Sequence, residues 1–338
     1  MSQQMSTRVA TLLLALAVVL GGLTLVSPQH ARAGSWNAPI LLVHGFNTGS
    51  KVDCNAGSMF GTIKTFFSNQ GYTNTRTLGF YKYDYDCDDY LSQESHHCTS
   101  WYDSGGNDGT VNEDIRHTSC LLAWYIWDHY TQYGTIVGID SHSMGGILIR
   151  QAMNDTPYVG AFPPYLMVSD VATAGTPHQG LKSGSAWVWS TFQGCPGNCV
   201  EVSQMEASNP LMSNMNSTSF RGGFARNPQG SGGTDWTTLA SNNDELLSNG
   251  CTSSVERRGA PSSISTSAAC GLMPGATHFV AYPGPSPSYC HGCYLTDTST
   301  AWNANASYSD NNGGTWYTTA YMGHSILTMY YAIQYLSW

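Results

Sequence analysis

Ser143 has the chemistry of a nucleophile and the local setting of one. Before it runs Ile136–Val137–Gly138–Ile139, a short β-branched apolar stretch of the kind that fills a buried strand. After it, Ile147, Leu148, Gln151, Ala152 and Met153 recur at helical spacing. Between them lies Ser141–His142–Ser143–Met144–Gly145–Gly146. A strand that gives way at once to a helix around a serine lifts the hydroxyl above the edge of the sheet. It also turns the first helical N–H, that of Met144, toward the place where an oxyanion would form. Strand and helix pass close together, so the positions two before and two after the serine must be small. Gly145 meets that need fully and Ser141 roughly. An ordinary strand-to-helix turn is the competing reading of so short a match, and the flanking strand and helix favour the catalytic one.

The elements that would position such a serine can be read on either side of it. Ala38–Val43 is a buried-strand run ending in His44–Gly45–Phe46–Asn47. A loop after that strand can offer a second oxyanion donor, the Phe46 N–H, with Gly45 letting the backbone approach. His44 at the strand end is read as a brace for this loop. Ser58–Gly71 is an amphipathic helix with Met59, Phe60, Ile63, Phe66 and Phe67 inward. A strand is expected at 77–83, a long helix at 111–133, a strand at 164–173 and another at 234–240. The acidic cluster Asp84, Asp86, Asp88 and Asp89 is read as a solvated loop. A calcium site is the alternative there, although the glycine and terminal glutamate of an EF-hand are missing.

With HGF at 44–46, SHSMGG at 141–146, GTPHQG at 175–180 and QMEASNPLMSNMN at 204–216, the chain resembles the secreted microbial lipases and esterases of the α/β-hydrolase fold. The resemblance touches most of 36–338 as islands. It implies a mostly parallel sheet with helices on both faces, and a Ser, then Asp, then His order along the chain. It implies that His178 shapes its loop and is not the base. Asp244, after the strand at 234–240, resembles the family's acid, with Glu245 as runner-up, whereas Asp235 precedes that strand and falls at its far edge. His278 opens a strand and would lie at the wrong end. His324, in the loop before a final helix carrying Ile326, Tyr330, Ile333 and Leu336, matches the family's base. The site expected from sequence is therefore Ser143, Asp244 and His324, with the N–H groups of Phe46 and Met144 as oxyanion hole. The 244-to-324 spacing is longer than usual, the surplus being a loop insertion at 283–322.

Composition sets the surroundings. Residues 1–33 combine Arg8, an apolar run from Val9 to Val26 and Ala31–Arg32–Ala33, the pattern of a cleaved signal peptide. An N-terminal membrane anchor is the competing reading. Removing Arg8 and Arg32 leaves 11 basic against 22 acidic residues, a net charge of −11 that argues against nucleic acid as a partner. All ten cysteines lie beyond residue 33, an even number in an oxidising context, which reads as disulfides. Short-range pairs are 195 with 199, 251 with 270 and 290 with 293. A zinc site at Cys290–His291–Gly292–Cys293 is the minor alternative.

The expectation is one catalytic domain over 34–338, secreted and monomeric, with no transmembrane segment after the leader. Residues 181–233 form either a cap or lid, with Trp187, Val188 and Trp189 facing ligand, or a plain surface insertion. The expected activity is carboxylic ester hydrolysis through an acyl-enzyme, on a substrate presented singly or at a lipid or polymer interface, without a cofactor. An amidase or peptidase with the same residues, and a non-catalytic binding protein on this scaffold, are the other classes the sequence admits.

Overall fold

The computed structural model describes residues 38–47, 51–91, 98, 109–156, 158–182, 199–217, 234–251, 261–282, 291–298, 306–310, 315–320 and 323–334. Residues 1–33 and the Trp187–Trp189 segment lie outside them. Strands β1 (Ile40–Val43), β2 (Thr75–Gly79), β3 (Asp89–Tyr90), β4 (Val137–His142), β5 (Val168–Ala174), β6 (Asp235–Ser241), β7 (His278–Tyr282), β8 (Ala306–Asp310) and β9 (Thr315–Ala320) form one sheet. Their order is β3-β2-β1-β4-β5-β6-β7-β8-β9. The first seven run parallel, and β8 and β9 close the edge antiparallel.

Helices α1 (Gly61–Asn69), α2 (Ile115–His129), α3 (Met144–Asp155), α4 (Val200–Gln204), α5 (Pro210–Asn216), α6 (Glu245–Gly250), α7 (Thr266–Cys270) and α8 (Ser325–Gln334) surround the sheet. The period of two in β1 shows how the layers form. Leu41 and Val43 point into a core with Leu122, Ile126, Ile147 and Leu148 of α2 and α3. Ile40 and Leu42 point into a second core with Ile63 and Phe67 of α1 and with Ile326, Met329 and Ile333 of α8. Both faces of the central parallel strands are covered, and β1 reads as an unbroken apolar run for that reason.

The chain works outward from β1 through β2 to β3, then returns and works outward the other way from β4. Strand order therefore reverses between β1 and β4. The loops leaving their carboxyl ends diverge there, opening the crevice in which sheets of this kind bind their ligands.

Several elements differ from the sequence expectation. The strand expected to reach Tyr83 stops at Gly79, because the Phe80 and Tyr81 N–H groups turn to donate to the Asp84 carboxylate at 2.8 Å each. The helix expected over 111–133 starts at Ile115, where the Asp114 side chain caps it by accepting the Arg116 N–H. It ends at His129, and a separate 3-10 turn follows at Thr131–Tyr133. The stretch 283–322, expected as a loop insertion, supplies β8 and β9. Its Ser–Tyr–Ser and Thr–Trp–Tyr–Thr runs suit a pleated edge. Within 181–233, Val202, Met205, Met212 and Met215 of α4, α5 and the intervening turn are buried in the first core, while 183–198 and 218–233 lie outside the described residues.

Three disulfides join Cys54 to Cys87, Cys98 to Cys120 and Cys251 to Cys270. The last was expected; the first two are longer-range than sequence proximity suggests. Cys199 and Cys293 are also disulfide-bonded, to partners outside the described residues, so Cys293 is not a thiolate metal ligand. Nor is the acidic cluster simply solvated. Asp84 is buried against His44, Asp88 is bound by Lys64, and Asp89 by Arg76 and the Tyr125 hydroxyl. No helix among the described residues is long and apolar enough to cross a membrane.

Candidate active site

Ser143 stands between the end of β4 and the start of α3, with φ 54° and ψ −128°. A non-glycine residue at such a positive φ is strained and persists only where the surroundings fix it. Two contacts fix it here. A Cβ on Gly145 would collide with the carbonyl oxygens of Val43 and His44, so α3 starts in direct contact with the end of β1. A Cβ on Gly45 would lie 2.5 Å from the Ser143 Cβ and 3.0 Å from its Oγ, so the loop after β1 passes over the hydroxyl. The Ser143 carbonyl accepts from the Thr176 hydroxyl at 2.8 Å, and its N–H donates to the Ala174 carbonyl at 2.9 Å. Met144 is the first residue of α3, so its N–H has no acceptor within the helix. Phe46 follows Gly45 in the loop that crosses Ser143.

Asp244 follows β6 and opens α6. One of its oxygens, Oδ1, accepts the N–H groups of Leu246 and Leu247 at 3.0 Å each, a cap that locks the carboxylate in place. Its side chain is fully buried. The ring facing it is that of His291, whose Nδ1 lies 2.9 Å from Oδ2 and 3.1 Å from Oδ1. His324 does not make this contact. Its ring packs edge-on against Phe66, with centroids 5.2 Å apart, and its Nδ1 accepts the Leu327 N–H at 3.1 Å. His324 is thus a helix cap for α8, its acceptor nitrogen already engaged. Burial lowers its pKa, Asp297 opposing in part.

His291 is held from three sides. Its N–H donates to Glu245 Oε2 at 2.8 Å, and its carbonyl accepts from His142 Nε2 at 2.7 Å. A Cβ on Gly175, the first residue of the GTPHQG motif at φ +62°, would sit 3.1 Å from His291 Cε1 and 3.2 Å from Asp244 Oδ2. The rings of His291 and His142 are 4.7 Å apart, which sets His291 beside the residue preceding Ser143. With Nδ1 donating to a carboxylate, Nε2 carries the lone pair. That atom is shielded from solvent and without a hydrogen-bond partner among the described residues. Burial alone would lower the His291 pKa, but Asp244, with Glu245 beside it, outweighs burial and raises it. His142 is the opposite case. Burial, reinforced by His291, pushes it down to about 3, so it stays neutral and keeps the Nε2–H that holds the His291 backbone.

The remaining candidates fall into place by geometry. His44 Nε2 pairs with Asp84 at 2.9 Å, Nδ1 contacts the Gly45 carbonyl at 2.8 Å, and the ring stacks on Phe80, so it braces the loop after β1. His178 is fully buried, with Nε2 2.8 Å from the Thr173 hydroxyl, and its carbonyl accepts from Arg150. His278 pairs with Asp235 at 3.4 Å where β6 and β7 begin, the far edge of the sheet. Sequence reasoning missed His291 because it sat inside a Cys–x–x–Cys motif read as a disulfide or zinc element. The usable signal was chain order: it follows Asp244 and β7, as His324 does.

A strained serine between β4 and α3 at the reversal point of a parallel sheet, with an acid after β6, decides the architecture. The fold is that of the α/β-hydrolases. No protein-family profile matches the chain, and no curated protein does. Among solved structures it is similar to the mature form of Bacillus licheniformis lipase BlEst2, at 18% identity over 78% of this chain and 88% of that one, with a TM-score of 0.43. It is similar to the lin2722 product of Listeria innocua at 14% identity, covering 89% and 96% of the two chains, with a TM-score of 0.44. Staphylococcus hyicus lipase is similar at 12% identity over 79% and 91%, with a TM-score of 0.42.

Proposed function

We propose that the chain is a secreted serine hydrolase that cleaves carboxylic esters through an acyl-enzyme, with Ser143 as nucleophile, His291 as general base and Asp244 as its orienting acid. The observation that carries this is the Asp244–His291 pair, buried beside a strained serine, with the His291 Nε2 buried and without a hydrogen-bond partner among the described residues. His291 Nε2 accepts the Ser143 proton as Oγ attacks the ester carbonyl. Asp244 stabilises the imidazolium that forms and fixes its tautomer. The negative charge on the former carbonyl oxygen is met by the N–H groups of Met144 and Phe46, each worth roughly 3–4 kcal/mol in comparable sites. The imidazolium then protonates the leaving alcohol, water attacks the acyl-enzyme with His291 again as base, and the acid departs. This chemistry draws on side chains and backbone alone and asks for no cofactor.

An aryl or alkyl ester is the substrate class we propose, since the histidine that takes the Ser143 proton can hand it to the departing oxygen. The disulfides and the leader-like first 33 residues support export. The test is hydrolysis of p-nitrophenyl esters from acetyl to palmitoyl, beside labelling by a fluorophosphonate with the adduct located by peptide mass spectrometry. Turnover with the adduct on Ser143 is the expected result; turnover with the adduct elsewhere, or none with any chain length, contradicts the reading.

A further inference from the structure

Away from the catalytic edge, α2, α3 and α5 enclose a second concave site of about 250 Å³. Most of its lining side chains are polar, which distinguishes it from the apolar-lined pockets, roughly 300–1,000 Å³, that take drug-sized ligands. Gln151 and Asn154 project from the last two turns of α3, roughly 12–16 Å along the helix axis from Ser143. Gln151 is only 4% exposed, lines the cavity, and its carboxamide makes no hydrogen bond among the described residues. With no protein partner among the described residues, its two donors and one carbonyl acceptor keep their hydrogen-bonding capacity for whatever fills the cavity, water or ligand.

The charges in the wall are already spoken for. Asp155 is bridged by the Arg116 guanidinium at 3.2 Å, and Asp114 accepts the Arg116 N–H as the cap of α2. Two carboxylates against one guanidinium disfavour an anion, and the pre-paired arrangement leaves no cation site of its own. What suits a carboxamide-rich wall without net positive charge, in a volume that admits one small ring, is a neutral molecule carrying hydroxyls that both donate and accept. Leu211 and Pro210 supply an apolar flank for a C–H face.

We infer that this cavity is a binding site for a single sugar unit, separate from the catalytic crevice and read chiefly by Gln151. It goes beyond the ester-hydrolase reading and does not depend on it. On a secreted hydrolase such a site would hold the chain to a glycan while the opposite end of α3 does the chemistry.

The test uses the full mature chain, with and without fluorophosphonate treatment, titrated with methyl glucoside, methyl galactoside and N-acetylglucosamine by calorimetry and saturation-transfer NMR. Saturable millimolar binding of at least one sugar is expected, unchanged by the phosphonate. It should weaken about three- to tenfold in Gln151→Met, which removes the hydrogen bonds and keeps the shape, with ester turnover unaltered. Asn214→Ala, at the exposed rim, should weaken the same binding and decides the matter if Gln151→Met does not fold. No saturable binding of any of the three, binding untouched by both variants, or binding abolished by the phosphonate would each overturn the inference.

Discussion

At the scale of single residues, His291 and His324 divide two roles that the sequence alone assigned to one. His324 keeps a helix end satisfied, so His324→Ala should lower stability by about 0.5–2 kcal/mol in a urea titration while ester turnover stays near wild type. Ser143→Ala should remove turnover by about 10⁴-fold or more with the circular dichroism spectrum unchanged. The pH profile follows from the pair. A base must be neutral to act, and Asp244 with Glu245 raises the His291 pKa. The acidic limb of kcat/KM should therefore lie above the ordinary imidazole value of about 6.5, and Glu245→Gln should move it down. The stability sign is opposite to the activity sign. A raised histidine pKa contributes stability that is fully present below the unfolded value and is lost as pH rises through the folded one. Activity thus grows over the same window in which this contribution fades.

At the scale of elements, the catalytic geometry is a matter of close backbone passage and of one buried cation. Arg150, fully buried on α3, donates to the carbonyls of His178 and Met215 and to Asn216 Oδ1. It ties the GTPHQG loop, which carries Gly175 against the Asp–His pair, to the end of α5. Arg150→Met should cost about 3 kcal/mol or more, since three acceptors lose a charged donor, with the loss read in a denaturant melt and in KM. The elements that could be read from sequence were those whose local pattern and tertiary role agree: β1, α1, β4, α3, β6 and α8 all lie within a few residues of their expected spans. The elbow and the oxyanion loop were legible because small residues at fixed offsets reflect steric contact. The proposed base was not, since His291 is placed by β7, by the Cys293 disulfide and by Glu245 across 46 residues, none of which leaves a periodic trace. The β8–β9 edge was hidden by the same absence of long apolar runs.

At the scale of the molecule, the sheet carries charges it does not use for chemistry. Asp140 on β4 and Asp170 on β5 are buried on neighbouring strands, and neither carboxyl oxygen of either is hydrogen-bonded. Burial raises both, Asp170 to about 7 and Asp140 well above the usual carboxylate range; Ser169 and His278 oppose the first and Asp235 adds to it, while Asp170 adds to the second. A carboxyl whose pKa is raised on folding lends its stability below the unfolded value, near 3.9, and loses it as pH rises through the folded one. Asp170→Asn should therefore be close to neutral at pH 3 and stabilising at pH 9, by an amount bounded at about 4 kcal/mol from the size of the shift. A thermal-melt series across pH reads this directly. A parallel loss of stability at both pH values would show that the carboxyl is structurally required. The molecule that results is a mostly parallel sheet with a core on each face, whose reversal point holds Ser143 and whose late insertion brings in His291.

The most direct measurement is kcat/KM for a short p-nitrophenyl ester with His291→Ala and His324→Ala side by side, each checked for an intact fold. The account predicts that His291→Ala falls by about 10³-fold or more while His324→Ala keeps most of the wild-type rate. An active His291→Ala beside a dead, folded His324→Ala would contradict it and return the base to the end of α8.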